Sequence, residues 1–186
     1  MTIGSQTNVY NRTEEDIVSG HSYAAHISGV NQLILSITNG SQLILHPKFE
    51  FNSFCAAIEK YKITALSAPA SAFMTLLKSG TEYDISSVKK VICGGAPLPK
   101  GCAEQIVEKY PHFEDFRQGY GMTEMTILIA FPDYGSKHYE SVGPPTPGNA
   151  IKVIDCNTGA VLSHNQMGEL CVTGPTLFRG LSQIFC

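Results

Sequence analysis

No Cys-x-x-Cys pair, no run of basic residues and no apolar stretch of membrane-spanning length occurs in this chain. The six cysteines (55, 93, 102, 156, 171 and 186) lie far apart. A zinc site or redox pair therefore has no support, and reduced thiols in a reducing compartment are expected. Cys93 and Cys171 sit inside apolar runs and are expected in the core. Thirteen basic residues stand against 16 acidic ones, for a net charge of −3, and none of the basic ones cluster. That excludes nucleic acid as a partner. Apolar stretches fall short of the about 20 residues that span a bilayer, so no transmembrane segment is expected. Met1 to Gln6 lacks the basic-then-apolar order of a secretory signal. Three nucleotide and nucleophile signatures are missing too: Lys100 is followed by Gly101 and Cys102 rather than completing a P-loop, and neither G-x-G-x-x-G nor G-x-S-x-G occurs. What remains, 43% hydrophobic and 16% charged over 186 residues, is a globular composition with enough chain for one real core.

The chain alternates. Residues 1–12 are polar and unpatterned and read as a loose lead-in, and Thr13 to Asp16 as a solvated turn. From His21 to Asn39, apolar residues at 27, 30, 33, 34 and 37 predict one face of a helix, closed by Asn39-Gly40 as a left-handed cap. Strands are predicted at Gln42–His46, Ile63–Ser67, Val88–Cys93 and Phe116–Gln118. Helices are predicted at Phe51–Tyr61, Pro69–Ser79 and Pro99–Tyr110. Strands separated by helices of this length predict βαβ units and a parallel sheet with flanking helices, an α/β fold. Past residue 130 the texture changes to Pro and Gly punctuation, then two β runs, Ala150–Asp155 and Glu169–Thr173. The expected organisation is an α/β subdomain over 13–133, then an incomplete antiparallel β subdomain over 134–186.

The stretch that stands out is Gln118-Gly119-Tyr120-Gly121-Met122-Thr123-Glu124. Its glycines allow close backbone approach or positive φ. Tyr120 offers a flat face, Thr123 a hydroxyl for a phosphate oxygen, and Glu124 an oxygen ligand for Mg²⁺. Alone, it reads equally as a strand-to-loop connection with two conformational glycines. Topology adds the decisive expectation. In a parallel sheet, Ser67 to Ala70, Gly94-Gly95-Ala96-Pro97 and Gln118 to Glu124 all follow strands, so they share the carboxyl edge where open α/β sheets bind ligands. Two glycine-rich loops side by side would frame a slot for a flat ring, with Ala96 and Tyr120 on its walls.

In order along the chain, Gly94 to Leu98, Gln118 to Glu124 and Gly168 to Pro175 resemble the motifs of the AMP-forming adenylating enzymes: acyl-CoA synthetases, coumarate–CoA ligases and beetle luciferases. Tyr83 to Val88, Ser141 to Pro145, Asp155 to Gly159 and His26-Ile27-Ser28-Gly29 fall where that family has similar stretches, so the resemblance covers residues 13 to 180. It implies activation of a carboxylic acid by Mg-ATP to an acyl-adenylate, then transfer to the thiol of coenzyme A. It also implies residue roles. Thr123 would contact phosphate and Glu124 would hold Mg²⁺. Gly94, Gly95, Ala96 and Pro97 with Gln118, Gly119, Tyr120, Gly121 and Met122 would enclose the nucleotide, ATP or AMP. His26 would border the acyl pocket beside the reacting carboxylate, which Met122, Gly95 and residues 67–70 would also line. Without the family, His26 reads as a core or boundary residue of its helix, and Glu169 as a strand residue on a wet face.

The same resemblance exposes departures. The family's Ser/Thr/Gly-rich phosphate loop, its ribose-binding acid and its C-terminal domain with a catalytic lysine do not occur here, and Leu181 stands where the family usually has Tyr. A chain with those parts missing is expected to be a central fragment, weakly active or inactive, and to associate through sheet edges left uncovered. The terminal Ile184-Phe185-Cys186 is no Ser-Lys-Leu peroxisomal address, so cytoplasm is the expected compartment. Three readings stay open: a carboxylate-activating ligase, a non-catalytic nucleotide- or acyl-binding remnant or interaction module, and a plain α/β module.

Overall fold

The computed structural model describes residues 9–21, 26–46 and 48–180. Five strands, β1 (Ile17–His21), β2 (Gln42–His46), β3 (Ala65–Pro69), β4 (Lys90–Gly94) and β5 (Asp115–Gln118), form one sheet in the order β2-β1-β3-β4-β5. Every pairing in it is parallel. Helices α1 (Ile27–Asn39), α2 (Phe51–Tyr61), α3 (Ala70–Ser79) and α4 (Cys102–Lys109) connect them. Because all five strands run parallel, the loops that follow β1, β3, β4 and β5 share one edge, and the strand order reverses between β1 and β3. Register keeps that edge level: Pro69 pairs with Gly94 and Cys93 with Gln118. A separate antiparallel pair, β6 (Ala150–Ile154) and β7 (Glu169–Thr173), follows. Glu169 lies exposed on it. Among the described residues no helix is long and apolar enough to cross a membrane.

Local chemistry explains most boundaries. Glu50 caps α2, its carboxylate accepting from the Asn52 and Ser53 amides at 3.0 and 2.7 Å. Gly40 ends α1 at φ 71°, the predicted left-handed cap. Gly80 ends α3 at φ 68°. Phe54, Cys55 and Ile58 of α2 meet Phe73 and Leu76 of α3 and Val91 of β4 in the main core. Cys93 joins them, its thiol pushed up to about 12 by burial. Cys171 is only half-buried.

Several sequence expectations are corrected. First, Ile17–His21 is a strand in the interior of the sheet, so His21, where the first helix was expected to begin, ends β1 instead; residues 22–25 of that expected helix lie outside the described residues. Ser19 of β1, fully buried, shares a hydrogen bond with His46 of β2 at 3.2 Å. Second, the apolar stripe of α1 faces outward. Val30, Leu33 and Ile37 are exposed, while Asn31, Gln32, Leu35 and Ser36 are buried. The inner face is polar because its partners are polar: Asn31 donates to the Tyr10 hydroxyl at 3.0 Å, and Arg12 donates to Gln32. Third, the lead-in ends inside the fold. Tyr10 and Arg12 are buried, and Tyr10 stacks on Phe131. Residues 1–8 and the departure at Leu181 lie outside the described residues.

Asp16, read as part of a solvated turn, is buried where β1 begins. It accepts from Lys90 at 2.7 Å, the Thr13 amide at 2.8 Å and the Thr64 hydroxyl at 2.9 Å. Burial opposes its ionisation, but these donors outweigh burial and hold its carboxyl below the ordinary 3.8. A depressed native value gives stability that is complete above 3.8 and disappears as pH falls through the native value. Asp16→Asn is therefore expected to cost about 1.5–3 kcal/mol at pH 7. In urea unfolding at pH 7 and at pH 2.5, the gap between variant and parent should narrow at the lower pH.

Candidate functional site

Beyond the carboxyl ends of β4 and β5 lies a cleft of about 570 Å³, within the size range of small-molecule sites. Gly95, Ala96 and Pro97 form one wall; Gln118, Gly119, Tyr120 and Gly121 form another. Ala96 and Tyr120 thus share one opening. Tyr120 keeps 39% of its surface exposed, leaving its ring available to a flat partner. Gly95 turns the chain at φ 80° with no neighbour within 4 Å of its missing Cβ, so the loop is open above it.

The second wall is held by backbone. The Gly119 amide donates to Cys93 O at 2.9 Å, tying it to the end of β4. Tyr120 exchanges hydrogen bonds with Ala130, so residues 119–131 fold back as a tight excursion. Gly121 is required inside it, because a Cβ there would lie 1.3 Å from Ile127 O. Thr123–Met125 forms a single 3₁₀ turn at the tip, pinned by Phe178 N–H to Glu124 O at 2.7 Å.

A third wall was not legible in the sequence. Tyr139, Glu140 and Val142 line the cleft, with Lys100 and Glu104 at its margin. They come from the Pro- and Gly-punctuated region, which carries no periodic signal. Gly143, at φ 78°, lets this segment lie against Phe131 and Pro132, whose backbone a Cβ would meet at 2.3 Å. Only the short Ser141 to Pro145 motif pointed there.

Met122, Thr123 and Glu124 lie exposed just past the second wall, on or beside the 3₁₀ turn, and outside the cleft lining. Gly94 is half-buried in β4, close to Gly119 O. His26 follows β1 at the same sheet edge and is not among the lining residues. It caps α1, with Nδ1 accepting from the Ser28 amide at 3.1 Å and paired with the Ser28 hydroxyl at 2.7 Å.

Among the described residues, no group of three or more His, Cys, Asp and Glu could hold a metal ion by itself. The Glu124 side chain has no hydrogen bond or ion pair with another described residue. An exposed carboxylate of this kind suits Mg²⁺, which keeps most of its waters and is completed by phosphate oxygens rather than an all-protein cage. The open slot, bounded by two glycine turns and the Tyr120 ring, is compatible with a flat ring.

The family described as AMP-binding enzyme matches residues 2–181. A protein named "Probable CoA ligase" in Humulus lupulus is 38% identical over 162 residues, 83% of this chain and 29% of its own length. The 4-coumarate–CoA ligase of Pinus taeda is 31% identical over 185 residues, 95% of this chain and 34% of its own. The chain thus spans between about a quarter and a third of the length of the curated relatives it matches. The O-succinylbenzoate coenzyme A synthetase of Bacillus subtilis, solved in complex with AMP, superimposes with a TM-score of 0.80 at 26% identity, covering 96% of this chain and 36% of that one. Its complex with ATP and magnesium ion gives 0.81 at 25% identity, over 96% and 37%.

Proposed function

The chain belongs to the AMP-binding enzyme family, and on that premise we propose that its cleft receives the adenine of ATP or AMP in a ligase that activates a carboxylic acid for transfer to coenzyme A. One observation supports this most: the Gly95–Pro97 and Gln118–Gly121 turns, far apart in sequence, line a single opening with an exposed aromatic ring in it. Relatives named as CoA ligases supply the reaction class.

In this reading the ring stacks on Tyr120 against the Gly95–Ala96 wall, and the phosphates run toward Thr123. A substrate carboxylate oxygen attacks the α-phosphorus and pyrophosphate leaves; the coenzyme A thiol then attacks the acyl carbon of the adenylate, forming the thioester as AMP departs and the thiol proton is lost. Such displacement depends on alignment and charge stabilisation more than on covalent help from the protein. The Thr123 hydroxyl donates to a phosphate oxygen. Glu124 would hold Mg²⁺, which would neutralise phosphate charge. His26 borders the acyl side, with its ring orientation fixed by the Ser28 cap.

Thermal denaturation of the 186-residue chain with AMP and Mg²⁺ tests the reading. Ligand at 100 times its Kd adds about 2.7 kcal/mol of stability, or roughly 5–10 °C in a chain of this size. Thr123→Ala should reduce the shift several-fold. No shift at millimolar AMP would overturn the assignment, and ATP–pyrophosphate exchange measures turnover separately.

A further inference from the structure

We infer that Gln118 is the positioning residue that sets the separation of the cleft walls, an assignment resting on the cleft being the nucleotide site. It ends β5, and its side-chain amide reaches two other segments. Its Oε1 accepts from the Leu98 amide at 3.1 Å, and its Nε2 donates to the Tyr139 carbonyl. Both partners are backbone, so these bonds fix the path of the main chain through the first and third walls.

Leu98 and Tyr139 both pack on the main core, but few other polar contacts join their segments. The described hydrogen bonds include no direct link between residues 94–101 and 138–142. The one ion pair across them, Lys100–Glu140, has a separation of 3.9 Å and side chains 88% and 57% exposed. A pair so wet and so long fixes little. Tyr139 is seated from behind, its ring edge-on to Phe116 at 6.3 Å, so a bond to its carbonyl holds a segment already packed on β5. The amide of Gln118 thus acts on the nucleotide through the walls it joins.

Two substitutions separate its two bonds. Gln118→Met removes both. Gln118→Glu keeps an oxygen to accept from Leu98 and sets a second anionic oxygen against the Tyr139 carbonyl; protonation would restore a donor there. AMP affinity is measured by calorimetry on the full chain, and amide exchange by NMR at Leu98, with Val91 as a control for the fold. Gln118→Met is expected to weaken AMP about tenfold and to expose the Leu98 amide, with Val91 still protected. Gln118→Glu should weaken AMP comparably while Leu98 stays protected, and its deficit relative to the parent should shrink as pH falls toward about 5. Unchanged Leu98 exchange in Gln118→Met, or unchanged affinity in both variants, overturns the inference while the nucleotide reading stands. A parent chain that does not bind AMP overturns that reading, and the positioning role falls with it.

Discussion

Replacing Asp115 by alanine is expected to lower the unfolding free energy by about 3–5 kcal/mol, because it leaves a buried guanidinium without its counter-ion. Asp115 and Arg117 face the same side of β5, with side chains 0% and 1% exposed and Nε to Oδ2 at 2.8 Å. Arg117 Nη1 also donates to the carbonyls of Val9 and Pro132 at 2.9 and 3.1 Å, and the guanidinium lies 4.5 Å from the Phe131 ring centroid. Burial pulls the Arg117 pKa down from its ordinary value, and Asp115 works against that pull. Asp115 in turn accepts from the Gly135 amide at 3.0 Å. The pair therefore joins the start of the described chain, β5 and the segment that leads to the third wall. At about 2–4 °C per kcal/mol the midpoint should fall by roughly 10 °C, and AMP binding should weaken as the wall loosens.

The same pair yields a second outcome that distinguishes need from benefit. Arg117 Nη2 has no partner among the described residues, so the arrangement already carries an unsatisfied donor. Exchanging both members for apolar residues, Asp115→Val with Arg117→Met, removes two desolvated charges together and should recover most of the lost stability. A double variant as unstable as Asp115→Ala would mean that the bonds to Val9 and Pro132, rather than the charge balance, hold this region.

The elements legible in the sequence were those whose information is local. Helix α2 needs only its capping Glu50 and the spacing of Phe54, Cys55 and Ile58; strand β2 needs only a short β-prone run between turns. The two glycine turns were legible because chain order in a parallel sheet fixes which edge they occupy. The failures were non-local. Nothing in Ile17–His21 announces a strand, since Ser19 becomes a buried residue only by meeting His46. The apolar stripe of α1 pointed the wrong way because Tyr10 and Arg12, read as lead-in, supply polar partners for Asn31 and Gln32. The wall at Tyr139 depends on Gly143 nesting against Phe131, which no pattern within 132–148 encodes.

Gly121→Ala is expected to abolish AMP binding and to destabilise by about 3 kcal/mol, the upper end of the usual range for overpacking. The obstacle is backbone: its Cβ would stand 1.3 Å from Ile127 O and 2.4 Å from Ile127 C. Ile127 cannot easily withdraw. It holds φ 83°, and Thr126 before it holds φ 52°, left-handed conformations that branched side chains resist. The turn keeps them there through Ile127 N–H to Met122 O and Thr126 N–H to Thr123 O, both at 3.1 Å. That strained pair places the Ile127 carbonyl over Gly121, and the turn between them presents Thr123 and Glu124. Opening it to admit a methyl group would carry both side chains away from the cleft. The other glycines calibrate the claim. A Cβ on Gly119 would meet the tips of Leu128 and Phe131 at 2.9 and 3.0 Å, which can shift, so Gly119→Ala should cost less. Gly95→Ala meets nothing within 4 Å and should cost only the roughly 1–2 kcal/mol of a left-handed backbone. Urea unfolding and AMP titration of the three variants should rank Gly121→Ala worst by both measures. A Gly121→Ala chain that binds AMP with parental affinity would mean that the 121–127 turn has no part in presenting the phosphate-side groups.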